Sequence, residues 1–568
     1  MAPAGTSPAE LVATSPIIQP GRLSVDSTKT IRIDESTERK GYESMATLTG
    51  NSSASTRREP AAVPVLNRRP LLAVSAAVGM VLLALSWRHG YHVDELYNRV
   101  TGQHLAWGYV DQPPLVSLIA RLELLVFGDT LTGLRVIPAL LTGVVVWVAG
   151  LIARELGGRG GAQVFAAAAT GASLVTLNAG HVLTTNGPDL VTWVVVSWLW
   201  IRLLRTGDGR LWLAVGAVTG VALLTKNLIV LLLLSLLVGV LAVGPRQILR
   251  SRWLWAGAAL AVLIAAPSVV WQIVHGWPQL EMSAALSKAL GSASRFAFVP
   301  FQLLLIGLFL APVWICGLAA LLRRTQWQTY RSVGVAYLFM AALLIAIGGK
   351  PEYTGGLLLV LLAAGSVVLQ GWAHTAARRS LAGTALAFNM AMSAVLMLPV
   401  LPIAVYGSNP VLKELGVFQL DQSGWPQLAA QVAAVHRSLS PEDRAHAVIY
   451  ANHYGLAGAL DRYGPANGLP AVYSGQNSYA AFGRPADDTN VVIAVGVNRD
   501  TFDALFASCE PRGTFEIDLP VADRGAGFLV CRGPRQPWSR LWSELTWIGF
   551  QCPYTAEAIT ADSKKGCW

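Results

Sequence analysis

Charged side chains are scarce in this sequence. Asp, Glu, Lys and Arg make up 13% of its 568 residues, whereas 53% are hydrophobic and the mean hydropathy is +0.47. Soluble proteins carry about 25% charged residues, so a mostly water-soluble protein is excluded. The composition predicts an α-helical polytopic membrane protein. In such a protein the formal net charge of +10 is expected in cytoplasmic loops, so it does not indicate a nucleic-acid partner.

Apolar runs of spanning length are absent from both ends of the chain. Residues 1–69 are rich in Ser, Thr, Pro, Arg and Glu, which predicts a disordered cytoplasmic tail. The polytopic domain is expected over residues 70–405. In residues 406–568, short β-branched runs such as HAVIY and NVVIAVG alternate with helical stretches. This pattern predicts a small extracytoplasmic α/β domain.

The middle of the chain contains about eleven apolar runs of the length that a bilayer requires. They are Leu71 to Trp87, Leu131 to Ala153, Gly161 to Leu177, Leu190 to Leu204, Leu211 to Leu224, Leu228 to Val243, Trp253 to Val270, Pro300 to Leu322, Val333 to Ile347, Gly355 to Leu369 and Leu381 to Val405. We therefore expect about eleven transmembrane helices.

Arginines occupy every second gap between these runs, as at Arg323-Arg324 and Arg378-Arg379. The positive-inside rule makes those gaps cytoplasmic, which places the first loop, residues 88–130, and a loop from His275 to Val299 outside. Within the first loop, Leu115 to Phe127 predicts a helix along the outer interface. The alternative, a re-entrant or tilted span, would invert the loop assignments.

Cysteines are few and clustered. Cys316 lies in an apolar run, and the other four, Cys509, Cys531, Cys552 and Cys567, lie in the C-terminal domain. An extracytoplasmic compartment favours disulfides, and Cys509 with Cys531 and Cys552 with Cys567 are the simplest of three connectivities. Four free thiols are the alternative. No His/Cys spacing typical of a structural zinc site is present.

Several polar residues share the outer side of this predicted topology. Asp94 and Glu95 follow the first run, and charged groups beside aromatics at a membrane surface often mark a substrate or ion site. The other candidates are Asp111, Asp189, Lys226, Lys350, Glu352 and Tyr353. Each has a plain alternative: a solvated acid pair, a helix N-terminal acid at Asp189, a snorkelling Lys226, a simple turn at Lys350. Together they suit a phosphate-bearing substrate held near the bilayer surface.

Four motifs carry a family resemblance. YHVDELY, GYVDQPPL, NGPD and LLTK, in this order and loop placement, resemble the protein-O-mannosyltransferase-like branch of the C-type glycosyltransferases, to which the lipid A aminoarabinose transferases are related. The tail segments YGLAGALDRYGPANGLPAVYSGQNSY and VCRGPRQPWSRLW look like bacterial members, so the resemblance runs from about Leu71 to Trp542. Members often read Asp-His-Pro-Pro where this chain has Asp111-Gln112-Pro113-Pro114. The role of that histidine is therefore not carried over, and His92 and His104 are the candidates to replace it.

The resemblance implies a C-type glycosyltransferase fold in a bacterial inner membrane, and transfer with inversion from a polyprenyl-phosphate sugar, mannose-like or pentose-like, to an extracytoplasmic acceptor. The acceptor classes left open are a protein, a lipid and a cell-wall glycan. Asp94 matches the family's general base, and Glu95, Asp111 and Asp189 would orient substrate or a divalent cation. Lys226 and Lys350 would stabilise the leaving phosphate. Further substrate contacts are expected from His92, Tyr97, Gln112, Glu352 and Tyr353.

Two other functions use the same charges. A transporter or flippase of a lipid-linked sugar would bind the substrate without reacting, but it is expected to carry acids within its spans or paired broken helices in related halves. The sequence shows neither. A membrane-anchored glycan-binding protein would make the many spans superfluous. The C-terminal domain itself is open to two interpretations, acceptor recognition or a structural cap over the site.

Overall fold

The computed structural model describes residues 63–549, and helices dominate this part of the chain. The helices of the membrane region and of the first loop, in chain order, are α1 Arg68–Leu85, α2 Val93–Gln103, α3 Leu115–Phe127, α4 Val136–Glu155, α5 Gly160–Gly171, α6 Leu174–His181, α7 Asn186–Thr206, α8 Leu211–Leu223, α9 Ile229–Val243, α10 Arg252–Val274, α11 Pro278–Ile306, α12 Ala311–Arg323, α13 Arg331–Ile347, α14 Gly355–Trp372 and α15 Ala376–Met397. The predicted tail, residues 1–69, falls almost wholly outside the described residues.

Within residues 63–549, eight helices are long and apolar enough to cross a membrane. A ninth candidate is the pair α5 and α6, which is bent by 59° at its break, and three shorter apolar helices, α8, α9 and α12, accompany them. The predicted polytopic helical class is confirmed, and this is a multi-pass membrane protein. The number of eleven spans stays a prediction.

The structure differs from the sequence-based prediction around Pro300. The expected outer loop from His275 to Val299 is instead most of the 29-residue helix α11, and the expected span Pro300 to Leu322 is interrupted after Ile306. The cause is local: Gly307 has φ +104°, which a helix cannot continue through. The Asn389 side chain donates to the carbonyl oxygen of Ile306 at 2.9 Å. That carbonyl, freed at the helix end, is thus satisfied.

Small residues bring the membrane helices into close contact. A Cβ on Gly216 of α8 would lie 2.0 Å from the carbonyl oxygen of Gly257 on α10, and one on Gly317 of α12 would meet Leu361 on α14 as closely. Close backbone approach through small residues is a typical way for helices to associate in membranes. The last predicted span ends early, at Met397 rather than Val405, because Pro399 and Pro402 follow it.

Helix α3 has the bounds that the sequence predicted, Leu115–Phe127. One face, which includes Val116, Ile119 and Ala120, is buried against the protein, whereas Leu122, Leu125 and other apolar side chains are exposed. An exposed apolar face on a short helix is typical of a helix at a membrane interface. At 13 residues the helix is too short to cross a bilayer, which requires about 20.

The C-terminal region forms a five-stranded mixed sheet. Its elements are α16 Ile403–Ser408, α17 Pro410–Leu415, α18 Val417–Leu420, α19 Trp425–Arg437, α20 Pro441–His446, β1 Ala447–Ala451, α21 Tyr454–Tyr463, β2 Val472–Tyr473, β3 Val491–Val495, α22 Arg499–Leu505, β4 Phe506–Thr514, β5 Gly527–Pro534 and α23 Trp538–Leu545. The strand order is β2-β1-β3-β5-β4. Strands β2, β1 and β3 are parallel, and β5 runs antiparallel to both of its neighbours.

A disulfide joins two neighbouring strands of this sheet. Cys509 on β4 and Cys531 on β5 are directly paired in the antiparallel register and are bonded to each other. This is one of the two predicted pairs. The other, Cys552 with Cys567, lies outside the described residues.

The C-terminal domain shares a hydrophobic core with the first loop. Helix α21 lies directly on α2, because Gly455 and Gly458 leave room for Val93 and Leu96: a Cβ on Gly455 would lie 2.3 Å from Val93 Cγ2. At the rim, Arg99 of α2 donates to Asp461 of α21 at 2.5 Å. The Val93–Gly455 contact places the start of α21 beside the start of α2, and the Arg99–Asp461 bond joins the later parts of the two helices.

Candidate active site

A capping box at the start of α2 sends two adjacent carboxylates in opposite directions. His92 Nδ1 accepts from the Asp94 backbone N–H at 3.2 Å, and Glu95 Oε2 accepts from the His92 N–H at 2.9 Å. Such a box satisfies amide groups that the first helical turn leaves free. The Asp94 side chain is 42% exposed, whereas the side chain of Glu95 is fully buried.

Glu95 is the buried partner of Arg135. The guanidinium donates to both carboxylate oxygens, at 2.8 Å from Nε and 2.6 Å from Nη2, and the Leu183 N–H donates to Oε1 at 3.2 Å. Glu95 lines neither of the cavities described below. The expected role in orienting substrate or a cation is therefore replaced by a structural one: the pair holds the first loop against the membrane helices.

Two cavities meet at Asp94. The first, of about 430 Å³, has a largely apolar wall that includes Leu174, Trp193, Leu305 and Phe418. The second, of about 260 Å³, has a polar wall of acid, amide and tyrosine side chains from the first loop, α11 and the C-terminal domain. Six residues line both cavities: Asp94, Thr184, Asn186, Lys226, Glu352 and Tyr353. A carboxylate at this boundary can contact an apolar molecule on one side and a polar one on the other.

Asp111 and Gln112 lie on the polar side, where the sequence placed them beside Asp94. The Tyr97 hydroxyl donates to Asp111 Oδ1 at 2.7 Å, and Gln112 donates to the Asn98 side chain at 2.8 Å. Burial raises the pKa of Asp111 to about 6, against which the Tyr97 hydrogen bond acts. Asp111 is thus a carboxylate that takes up a proton under mildly acidic conditions.

Lys226 is the cation nearest the boundary between the cavities. Its Nζ donates to Asn186 Oδ1 at 3.0 Å and lies 5.2 Å from the centre of the Tyr353 ring. Burial lowers the pKa of Lys226, and the carboxylate of Asp189 opposes that effect. Asp189 itself lines the apolar cavity and accepts from Trp193 Nε1 at 3.0 Å. Lys226 is therefore held by neutral and acidic groups while its ammonium faces both cavities.

The turn Pro351–Thr354 carries the second predicted cation into the same area. Lys350 lines the polar cavity, and Glu352 and Tyr353 line both. Lys350 Nζ lies 3.9 Å from Glu352 Oε1. Gln302 of α11 donates to the Pro351 carbonyl at 3.1 Å and thereby fixes the turn.

The two predicted histidines, His92 and His104, lie in different places. His92 lines the apolar cavity, with its ring 5.0 Å from that of Phe418. His104 is stacked on Phe482 at 4.6 Å and lines neither cavity. Only His92 is thus placed to contact a substrate.

The sequence did not predict which residues of the C-terminal domain reach the site. The Tyr454 hydroxyl, at the start of α21, donates to Asp94 Oδ1 at 3.0 Å, and its ring lies 4.7 Å from that of Tyr97. Burial raises the pKa of Tyr454 well above its ordinary value, so the hydroxyl keeps its proton. Asn477 also reaches the polar cavity. Both residues lie in the family-like segment YGLAGALDRYGPANGLPAVYSGQNSY, but nothing in that segment marked them as site residues, whereas Asn186 stood three residues before the predicted Asp189.

The described residues do not form a typical metal site. Among residues 63–549, no group of three or more His, Cys, Asp or Glu side chains is close enough to hold a metal ion. Divalent cations in proteins usually take several oxygen ligands. The predicted option of a cation held by Glu95, Asp111 and Asp189 does not fit, because Glu95 is committed to Arg135.

Comparisons with known proteins show what this chain is similar to. Residues 111–271 match the model of the dolichyl-phosphate-mannose-protein mannosyltransferase family. Two proteins of Pseudomonas fluorescens (strain Pf0-1) are similar to the chain. Undecaprenyl phosphate-alpha-4-amino-4-deoxy-L-arabinose arabinosyl transferase 2 is 28% identical over 331 residues, which are 54% of this chain and 58% of that protein. Transferase 1 is 30% identical over 188 residues, 31% of this chain and 32% of that protein.

The fold is shared with a solved structure. ArnT from Cupriavidus metallidurans in the apo state aligns over 81% of this chain and 97% of that one, with a TM-score of 0.53 and 17% identity. The resemblance and the C-type glycosyltransferase fold predicted from the sequence are confirmed. The chain spans less than two thirds of the length of the two Pseudomonas proteins that it matches.

Proposed function

We propose that this protein is a membrane glycosyltransferase that moves a sugar from a polyprenyl phosphate to an acceptor hydroxyl outside the cytoplasm. The observation that carries the proposal is the position of Asp94, where an apolar and a polar cavity meet beside Lys226. A lipid-linked donor and a polar acceptor need such a boundary. The names of the two Pseudomonas relatives, which are transferases of an undecaprenyl-phosphate sugar, support it.

The reaction needs one base and one stabilised leaving group. The acceptor oxygen attacks the anomeric carbon of the sugar while the bond from that carbon to the phosphate oxygen breaks. The acceptor proton passes to Asp94, and the polyprenyl phosphate leaves with the bonding electron pair. Attack opposite to the leaving group inverts the anomeric carbon. Tyr454 donates to Oδ1 of Asp94 and so leaves the other carboxylate oxygen for the acceptor proton.

Lys226 is the residue that we assign to the leaving phosphate. Its ammonium faces both cavities, and two unit charges 4 Å apart at the effective dielectric constant of a protein surface attract by about 4 kcal/mol. Preorganised charge of this kind favours the transition state over the ground state as the phosphate charge develops. Lys350 lies further into the polar cavity and is the second candidate. The Asp189 carboxylate opposes the lowering of the Lys226 pKa that burial causes.

The polyprenyl chain belongs in the apolar cavity. Its apolar wall comes chiefly from α6, α7, α11 and the segment Leu415 to Phe418, which contribute Leu, Val, Phe and Trp side chains. Apolar burial gains about 25 cal/mol for each Å² removed from water. His92 and Tyr353 stand near Asp94 and would contact the sugar.

The location is proposed together with the activity. We infer a bacterial inner membrane with a cytoplasmic N-terminus and an extracytoplasmic C-terminal domain, because arginines occupy every second loop and fix orientation. The disulfide of the C-terminal sheet supports an oxidising compartment.

The test uses the full chain in liposomes. Wild type and Asp94→Asn are given radiolabelled undecaprenyl-phosphate sugars and a cell-envelope extract, and label that leaves the lipid is measured. We expect Asp94→Asn to reduce transfer about 10²- to 10⁴-fold, which is the usual contribution of a general base, with donor binding retained. Asp488→Asn, an exposed acid of the C-terminal domain, is the matched control.

Two results would contradict the proposal. Normal turnover by Asp94→Asn would remove the base from the mechanism. Binding of the lipid-linked sugar without transfer, alike in both proteins, would favour the transporter or flippase.

A further inference from the structure

Asn477 is an unusual residue in the wall of the polar cavity. It is 3% exposed, and its backbone lies in the left-handed region with φ +48°. Its Oδ1 accepts from the Gly549 N–H at 3.0 Å, and its own N–H donates to the Trp547 carbonyl at 2.9 Å. Its Nδ2 has no hydrogen-bond partner within residues 63–549. The side chain is thus fixed from one end and presents an unused donor at the other.

Both properties of Asn477 oppose folding. A buried polar group without a partner costs about 1–3 kcal/mol, and a positive φ is uncommon outside glycine, although Asn tolerates it better than most residues. Buried unsatisfied groups in native proteins are few, and they call for a specific explanation. A ligand in the polar cavity would supply the acceptor that the Nδ2 group lacks.

Oriented amides also line the polar cavity. Gln112 donates to Asn98 at 2.8 Å, and Asn227 donates to Gln279 at 2.7 Å. Paired amides have fixed directions for their remaining donors and acceptors. Among residues 63–549, no arginine lines this cavity.

These features favour one class of ligand. A polyol has many hydroxyls, each a donor and an acceptor, which matches amide side chains and the tyrosine pair Tyr97 and Tyr454. The same wall carries three carboxylates, Asp94, Asp111 and Glu352, and two lysines, Lys226 and Lys350. Because the proposed function assigns both lysines to the leaving phosphate, a phosphate on the acceptor would face the carboxylates without a cation of its own. A peptide would call for a strand edge or a hydrophobic groove, and the lining has neither.

We propose that the polar cavity is the acceptor site, that the acceptor is a saccharide, and that Asn477 donates through Nδ2 to one of its hydroxyl oxygens. This inference rests on the proposed function, since it names the acceptor of the same reaction. It assigns the C-terminal domain a part in acceptor recognition in addition to its contact with Asp94. The bond-making step is unchanged: a second hydroxyl of the same saccharide attacks the donor.

Two variants of Asn477 separate the effect of losing the Nδ2 donor from the effect of the positive φ. Asn477→Asp keeps the oxygen that accepts from Gly549 but loses the Nδ2 donor. Asn477→Gly removes the side chain and suits the positive φ. The matched control is Asn490→Asp, because Asn490 Oδ1 also accepts from a glycine N–H, that of Gly533 at 3.1 Å, but is exposed and away from the cavity.

The assay uses the full chain in liposomes with a radiolabelled undecaprenyl-phosphate sugar. The acceptor probes are the methyl glycosides of glucose, galactose, mannose and arabinose, together with a Ser/Thr-containing peptide. We measure label on each probe and label released to water. Wild type is expected to glycosylate at least one glycoside. Both Asn477 variants are expected to raise the KM for that glycoside about five- to tenfold, as one lost hydrogen bond implies, with the donor KM and the release to water unchanged.

The outcomes distinguish the two claims. Three results would overturn the acceptor assignment and leave the transferase intact. They are an equal glycoside KM in wild type and Asn477→Asp, transfer to the peptide alone, and transfer to none of the glycosides while Asp94-dependent release to water continues. Absence of any Asp94-dependent loss of label from the lipid would overturn the proposed function and this inference with it.

Discussion

Replacing Tyr454 by Phe removes a single hydroxyl from the site and leaves the ring in place. That hydroxyl donates to Asp94 Oδ1 at 3.0 Å, while the ring keeps its contact with Tyr97 at 4.7 Å. Tyr454 touches the base and not the reacting atoms, so it is a positioning residue. Without it, the carboxylate has one fewer group that fixes its direction.

The magnitude follows from the type of bond. A hydrogen bond to a charged group contributes about 1.5–3 kcal/mol, and the length of 3.0 Å is ordinary, so we take the lower half of that range. Since about 1.4 kcal/mol is a factor of ten in rate, kcat should fall about 10- to 40-fold. The KM for the lipid donor should not change, because the apolar cavity is untouched.

The assay compares kcat and KM of wild type, Tyr454→Phe and Tyr450→Phe in liposomes, with thermal unfolding measured in parallel. Tyr450 is a suitable control because its hydroxyl donates to the Leu545 carbonyl at 3.2 Å, inside the same domain and away from both cavities. We expect Tyr450→Phe to lower stability and to keep kcat. An unchanged kcat in Tyr454→Phe would refute the reasoning, as would a fall in kcat that Tyr450→Phe reproduces.

Three further predictions concern charged residues in and next to the site. Glu95→Gln should lower the free energy of unfolding by about 3–5 kcal/mol, because it leaves the buried Arg135 charge unpaired; thermal unfolding in detergent measures this, and an unchanged midpoint would contradict it. Lys226→Met should reduce kcat more than donor binding, as single-turnover rates and lipid binding will show; equal losses in both would argue against a transition-state role. Asp111 has a pKa of about 6 in the folded protein against 3.8 ordinarily, so the folded state holds a proton between these values that the unfolded state releases. Its contribution to stability therefore falls as the pH rises from about 4 to about 6, and the unfolding midpoint of wild type relative to Asp111→Asn should fall over that range; a constant difference would show that Asp111 does not titrate there.

Much of the fold could be predicted from the sequence, because a long apolar run predicts a membrane-spanning helix. The break at Gly307 could not, since Pro300 to Leu322 reads as one continuous run and the interruption depends on the φ of one glycine and on Asn389, over eighty residues away. The first-loop helix Leu115–Phe127 was predicted with its bounds, because prolines precede it and a glycine ends it.

The candidate site shows the same division. Asp94, Asp111, Asp189 and Lys226 were predicted to converge, since each follows or precedes the outer end of a span, and the two cavities bring them together. Sequence adjacency could not separate Glu95 from Asp94, because only the capping geometry sends one side chain inward. Tyr454 could not be predicted, since its role depends on how a distant domain docks.

The glycine contact between α21 and the first-loop helix α2 has a consequence for protein engineering. Val93 and Leu96 fill space that Gly455 and Gly458 leave open, and Arg99 joins Asp461 across the same surface. The two segments are separated by more than three hundred residues of chain, yet their surfaces are matched to each other. A chimera that takes its C-terminal domain from a relative should therefore take the first loop from the same relative. The unit of exchange is this discontinuous pair together with Arg135, because Arg135 is the buried partner of Glu95 in the first loop.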